Sequence, residues 1–361
     1  MPEAPTVAGT VRDRYVDALR ALSLLVVVVW HWVFNLVIKH EHSVHATNPI
    51  GHTRGLWLLT WVLQVMPVFF MVGGHVHGMI LSKDVRWGPF VRRRLSRLVP
   101  PAAVLLVLFL VGQATMAIAE APGWMSDGMW LMISPLWFLV VYVLLVLVAP
   151  ILYRAHLVAG PVVPALLIGG SMTIDLLRFN ILRESPGAWV WLSMLLVWGF
   201  VHQLGFHFAD LRRADPRAQE AVVLIGFFML VGLTNMNLYP RSLVGVPGER
   251  LSNMTPPTLA ICALGVLQFG LAARLAGAGE RLLLQERWWR RVQWASRYAM
   301  PIFIWHTPGY LLAFVLLDHL GVEFRSFTVE WWLWRPVYLA LPALFTAPLI
   351  WLASRVLPLR V

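Results

Sequence analysis

Ten apolar runs, each near the length of a bilayer crossing, restrict this chain to a helical bundle in a membrane. They fall near 17–38, 56–81, 99–119, 135–153, 158–178, 188–209, 220–238, 257–277, 298–319 and 331–353. A transmembrane helix needs about 20 predominantly apolar residues. Lipid offers backbone amides no hydrogen-bond partner, so such runs satisfy their own backbone by forming helices. With 59% hydrophobic and 13% charged residues and a mean hydropathy of +0.70, the composition excludes an ordinary water-soluble domain. The expected fold is all-α, a polytopic integral membrane helical bundle of about 10 transmembrane helices.

The basic residues set the orientation. With the N-terminus inside, 21 of the 29 Lys and Arg residues fall in cytoplasmic segments. The positive-inside rule therefore places the N- and C-termini in the cytoplasm. The net charge of +11 is then topological and calls for no nucleic acid. The lone cysteine, Cys262, lies in the eighth run and excludes an intramolecular disulfide framework. The first run is too long for a signal-peptide core, so it is expected to be retained as a span. The connections near 39–55, 82–98, 120–134, 239–256 and 278–297 are too short for an independent domain. Segment 280–294 mixes cationic and aromatic residues and is expected along the inner surface. The division is a cytoplasmic N-terminal segment at 1–16, one transmembrane domain at 17–353 and a cytoplasmic tail at 354–361.

Within the first run His31 follows Arg20 by eleven residues. Eleven residues turn a helix through about 1100°, roughly 20° past three full circles, so both side chains share a face about 16 Å apart along the axis. Ionisable groups inside a span are costly and point to function. Arg20 falls near the cytoplasmic boundary, and Asp17, one turn before it, has the spacing of an ion pair that would hold the guanidinium. The bland reading has Arg20 snorkelling to headgroups and His31 as an interhelical contact. A second polar segment, Arg92-Arg93-Arg94-Leu95-Ser96-Arg97, ends in Pro100-Pro101 and sits in the connection before the third run. Guanidiniums make paired, charge-assisted hydrogen bonds to phosphate, so the cluster suits a phosphate-rich ligand. Its bland reading is an anchor on anionic lipid.

These segments, in this order, resemble the acyltransferase family 3 of integral-membrane O-acyltransferases. The matching stretches are Asp17-Ala-Leu-Arg20-Ala-Leu with His31, then Met66-Pro-Val-Phe-Phe-Met-Val-Gly73-Gly74, and the run 92–101. Pro135-Leu-Trp137-Phe138-Leu and Tyr298-Ala-Met-Pro-Ile-Phe-Ile-Trp305-His306-Thr-Pro308 resemble the family's later landmarks. The Arg-rich, Lys-poor usage resembles the bacterial branch, which implies a multi-pass protein of the inner, cytoplasmic membrane.

The resemblance implies transfer of an acyl group, acetyl being usual, from cytoplasmic acyl-CoA to a hydroxyl of a glycan, glycolipid or metabolite. Acyl-CoA enters as co-substrate, and no permanently bound cofactor is implied. The partners are then acyl-CoA, a hydroxyl-bearing acceptor and the lipid bilayer. An alcohol attacks well only when a base takes its proton, and imidazole has suitable basicity near pH 7. His31 is assigned as that general base, with acyl transfer through His31 itself left open. Arg20 is placed on the donor side. The family's Arg-x-Arg motif makes Arg92 and Arg94 candidates for the coenzyme A phosphates, with Arg93 and Arg97 as neighbours. The oxyanion stabiliser is left open among a helix-end amide, Trp30, Trp137 and an arginine.

Other polar residues stand apart from these motifs. His75 and His77 near the inner end of the second run are expected as an interhelical contact or beside the donor, and His306 as structural or substrate-adjacent. His202 and His207 are five apart and do not share a helix face. Asp175 and Arg178 have pairing spacing. With Asn180, Asn235, Asn237 and Arg241 they are read as a polar acceptor pocket. His40, Glu41, His42, His45 and His52 offer ligand types for zinc, but no motif fixes tetrahedral spacing, and no metal is assigned. The competing functions are a transporter or flippase for a polar or lipid-linked glycan, whose usual sign is paired discontinuous helices, and a membrane sensor or scaffold.

Overall fold

The computed structural model describes residues 13–41, 43–84, 86–182, 187–322 and 327–356. Among these, ten helical segments are long and apolar enough to cross a membrane, the number read from the sequence. The helices are α1 (Arg14–Phe34), α2 (Trp57–Leu63), α3 (Met66–Leu81), α4 (Trp87–Ile118), α5 (Gly123–Ile133), α6 (Leu136–Ala159) and α7 (Val162–Leu177). They continue with α8 (Ala188–Phe206), α9 (Phe208–Arg213), α10 (Pro216–Asn235), α11 (Leu259–Leu284), α12 (Glu286–His319), α13 (Val329–Leu333) and α14 (Arg335–Val356). One antiparallel hairpin pairs β1 (Leu36–Lys39) with β2 (Val44–Thr47). Most of the two expected cytoplasmic tails lies outside the described residues.

Three elements form the centre. The most apolar stretches of α11, α8 and the α2–α3 segment are 78%, 61% and 56% buried, against 11% for α4 and 17% for α14. Helices that lipid covers need no protein over Leu and Val, and α4 leaves Leu106, Val107, Leu110 and Val111 exposed. At the α3–α8 seam the backbones touch. A Cβ placed on Gly74 would lie 1.9 Å from the His202 carbonyl oxygen, and one on Gly205 would lie 2.1 Å from that of Met71.

Carboxylates close the helix ends. Asp13 caps α1 by accepting from the amides of Tyr15 and Val16, both at 3.1 Å, and accepts from Arg212 at 2.6 Å. Arg212 also bonds Glu280, so the start of α1 is tied to α9 and α11. At the other end of α11, Asp175 accepts from the Leu259 amide at 2.8 Å and the Tyr239 hydroxyl at 3.1 Å. Asp175→Ala strands two buried donors and is expected to destabilise the protein by about 2–3 kcal/mol, measurable as a lowered thermal transition in detergent. An unchanged transition would remove this capping role.

Several boundaries depart from the sequence expectation. The connection 82–98 is helical from Trp87, because arginine is a good helix former and Pro89 falls in the first turn, where its missing N–H costs little. The 32-residue α4 is about 48 Å long, beyond a hydrocarbon core of about 30 Å, so the arginines ride on a projecting helix end. The connection 120–134 holds α5, locked to α4 by Ser126–Gln113 hydrogen bonds of 2.8 and 3.2 Å. Segment 280–294, most of it exposed, completes α11 and opens the 34-residue α12. The first span ends at Phe34, and 36–38 turn into β1.

The second span breaks between α2 and α3. The break is closed by protein: the Met66 amide donates to Gln64 Oε1 at 3.2 Å, and Gln268 donates to the Gln64 carbonyl at 2.8 Å. The Leu243 amide donates to Thr60 Oγ1 at 2.9 Å.

Candidate active site

α1 and α12 meet at two imidazoles. His31 Nδ1 lies 2.8 Å from His306 Nε2, with the rings 7° from parallel and their centroids 5.0 Å apart. Neighbouring contacts fix the crossing. Trp32 Nε1 donates to the His306 carbonyl at 3.0 Å, and the Tyr310 hydroxyl donates to the Asn35 carbonyl at 2.9 Å. Arg335 Nη1 donates to the Val33 carbonyl at 3.1 Å, placing a cation at the C-terminal end of α1, where the helix dipole favours one. Its guanidinium is clasped by the rings of Trp331 and Tyr338, 3.7 and 3.9 Å from their centroids.

The hydrogen-bond network assigns the protons of the neutral pair. His306 Nδ1 sits 2.5 Å from the Phe303 carbonyl oxygen, which only accepts. That nitrogen therefore carries the hydrogen, and His306 Nε2 is left as an acceptor. Of the two groups beside that lone pair, His31 Nδ1 at 2.8 Å and the Thr307 hydroxyl at 3.2 Å, the nearer imidazole donates, which puts the free lone pair of His31 on Nε2. His306 is fully buried, whereas His31 keeps partial exposure. The arrangement gives one accessible base, oriented by a second imidazole behind it.

The arginines occupy the other end of α1. Arg20 bonds Asp17 at 3.2 Å, the i,i+3 pair expected from the sequence, with its side chain 38% exposed. On α4 the cluster divides: Arg94 turns to the half-buried face with Phe90 and Leu98, while Arg92, Arg93 and Arg97 are exposed. Arg94 and Arg20 both lie within electrostatic reach of Tyr142. From Tyr142 a series of ring contacts runs through Phe138 and Phe303 to His306, with centroid spacings of 6.3, 5.1 and 5.6 Å. Trp137 flanks this series, tilted against Trp198 at 6.2 Å and edge-on to Phe138 at 6.4 Å.

A second histidine pair lies near the arginines. His77 Nδ1 is 3.0 Å from His202 Nε2, and His77 Nε2 is 3.4 Å from the Tyr142 hydroxyl. His75 is buried edge-on to Phe208, at 5.4 Å. His207 lies past the end of α8 beside His156, their rings 4.5 Å apart, and burial lowers its pKa. Neither the His77–His202 contact nor Tyr142 was legible in the sequence, since each joins helices that only the fold brings together.

The expected acceptor group is not gathered into one pocket. Asp175 is the buried cap of α11, and Arg178 is buried between the rings of Phe179 and Trp189, 5.8 and 5.7 Å from their centroids. Burial and then the Asp175 charge push the Tyr239 phenol well above its usual range, so it stays a donor to that carboxylate. Asn180 and Asn235 are exposed, each donating at 2.8 Å to the carbonyl four residues back on its own segment. Asn237 takes a left-handed turn conformation, and Arg241 covers the Trp57 ring. In the outer loop His40 stacks on His45 at 5.1 Å and His52 on Phe327 at 4.7 Å, while His42 lies outside the described residues. Among the described residues no group of three His, Cys, Asp or Glu is placed to hold a metal ion.

A family model described as an acyltransferase domain, Acyl_transf_3, matches residues 13–351. No curated protein and no solved structure matches the chain. The family match reaches from the cap of α1 into the last helix and sets aside the transporter and sensor readings. The chain belongs to the Acyl_transf_3 family and is a multi-pass membrane acyltransferase.

Proposed function

We propose that the protein transfers an acyl group, acetyl in the simplest case, from cytoplasmic acyl-CoA to a hydroxyl of a glycan, glycolipid or metabolite, with His31 as general base. The observation that carries this reading is the free Nε2 lone pair on a partly exposed imidazole, fixed from behind by buried His306. The acceptor oxygen attacks the thioester carbonyl while its proton passes to His31 Nε2. The tetrahedral intermediate then expels the coenzyme A sulfur, which takes that proton back from the imidazolium. His306 Nε2, accepting from His31 Nδ1, holds the ring in this tautomer throughout.

The donor belongs at the arginine end. Arg94 and Arg20 act electrostatically on Tyr142 at the start of the aromatic series that leads to the histidines, while Arg92, Arg93 and Arg97 stand exposed for phosphate. The distribution of Lys and Arg supports both termini inside, and the resemblance to the bacterial branch supports the cytoplasmic membrane. Arg92→Ala/Arg94→Ala is expected to weaken acetyl-CoA binding by about 30-fold or more, from the loss of two charge-assisted contacts. Titration of the purified protein in detergent measures this, and unchanged affinity would exclude these residues from the donor site.

A further inference from the structure

We infer that the cleft between α12 and α14 holds an anionic glycerophospholipid, with its phosphate at Arg297 and Arg355 and its acyl chains along α14. The site is separate from the acyl-transfer reaction and does not rest on it. The two helices run antiparallel and touch near their middle, where a Cβ on Gly309 would lie 3.0 Å from the Pro342 carbonyl oxygen. Towards the start of α12 they leave a cleft of about 470 Å³, lined by Arg297, Tyr298, Ala347, Ile350, Trp351 and Ser354. Pro301 on α12 and Pro348 on α14 fall where the seam gives way to this cleft. Proline inside a helix removes a hydrogen bond and bends the helix, so a proline on each side suits an opening. The cleft lies at the same end of the bundle as Arg20, since Arg14 at the start of α1 covers the Trp289 ring at 4.9 Å.

The positive charge of the cleft is not neutralised by protein. From Arg287 to Leu317 α12 carries no Asp or Glu, and α14 carries none. Arg297 lies over the Tyr298 ring at 5.8 Å, and Arg355, next to Ser354, lies over the Trp351 ring at 4.8 Å. Both arginines are exposed, and among the described residues neither has a carboxylate within ion-pair distance. Elsewhere at this end the arginines are paired, Arg290 with Glu286 at 4.0 Å and Arg212 with Asp13 at 2.6 Å. Ser354 turns its hydroxyl back to the Trp351 carbonyl at 2.6 Å, which leaves recognition to the guanidiniums. Guanidiniums bind phosphate through paired, charge-assisted hydrogen bonds.

The apolar half of the cleft selects a lipid over a free phosphate. Ala347, Ile350 and Trp351 form one wall, which continues into a face of α14 where Leu344 and Leu352 are 67% and 57% exposed. Acyl chains cover such a face in a bilayer, and an inorganic anion gains nothing from it. Tyr298 and Trp351 stand between the apolar wall and the cations, where amphipathic rings settle at a membrane interface. Basic pockets between membrane helices are a known way of holding phospholipid headgroups.

The test uses the full chain, purified in detergent and stripped of lipid, in native mass spectrometry. The probes are dioleoyl phosphatidylglycerol and dioleoyl phosphatidylcholine. One phosphatidylglycerol is expected to bind saturably, about tenfold or more tighter than phosphatidylcholine, and to raise the thermal transition. Arg297→Gln/Arg355→Gln is expected to remove that preference. Both side chains are exposed, so the thermal transition without lipid stays in place and reports an intact fold. Arg287→Gln/Arg290→Gln removes the same charge two to three turns earlier on α12, outside the cleft, and is expected to keep the preference. Equal binding of the two lipids by the unaltered chain overturns the inference, as does a preference that survives Arg297→Gln/Arg355→Gln. Equal losses in the two double variants show diffuse attraction to a basic surface and overturn it too. Displacement of phosphatidylglycerol by millimolar inorganic phosphate or coenzyme A assigns the cleft to a soluble phosphate and overturns the lipid.

Discussion

His31→Ala lowers acyl transfer by about 10³-fold while the protein stays folded and still binds acetyl-CoA. The substitution removes the accessible lone pair but leaves the arginine end of α1 untouched, so donor affinity and turnover separate. Added imidazole restores part of the rate, because the side chain leaves a partly exposed gap beside His306. His306→Ala tests the partner differently. Its loss frees the His31 ring to turn and to change tautomer, so the rate falls about 10- to 100-fold and the pH–rate profile moves, with acetyl-CoA binding unaltered. A structural role for His306 would lower the thermal transition without moving the profile. Full activity in His31→Ala would end its assignment as the base.

Gly205→Val abolishes the folded protein. A Cβ at Gly205 meets backbone on α3, 2.1 Å from the Met71 oxygen and 2.5 Å from the His75 nitrogen, and backbone cannot rotate aside. The helices must separate, which loosens the packing around Phe70 and Val201 and pulls apart the 3.0 Å His77–His202 contact. The cost is upwards of about 3 kcal/mol, at the severe end of overpacking. Fluorescence-detected size exclusion in detergent should show the folded peak lost. Gly277→Ala on α11 is the control: nothing lies within 4 Å of that position, and alanine is the better helix former. A stable Gly205→Val protein would show that the α3–α8 seam yields.

The membrane class and the number of spans were legible because both follow from local composition. Apolar length decides a crossing, and lipid forces the crossing to be helical. The Asp17–Arg20 pair was legible for the same local reason, as one helical turn brings i and i+3 together. The hairpin after α1 was not, because Leu36, Val37 and Ile38 suit a span or a strand equally well. What ends α1 is distant chain: Arg335 and Tyr310 take the carbonyls of Val33 and Asn35. The capping role of Asp175 was not legible for a related reason. Its depth was legible, but its partners, Leu259 and Tyr239, lie 84 and 64 residues away.

His31 and Arg20 could be singled out by the sequence alone, since a charge in a long apolar run is costly and helical spacing sets their common face. The sequence also determined the family resemblance that the match over 13–351 bears out. Only the tertiary structure decided which nitrogen of His31 is free. That depends on a carbonyl at Phe303 and an imidazole at His306, 275 residues further along, reached when α12 packs on α1. Side-chain spacing is a property of one helix, whereas a proton's position belongs to the contact between two.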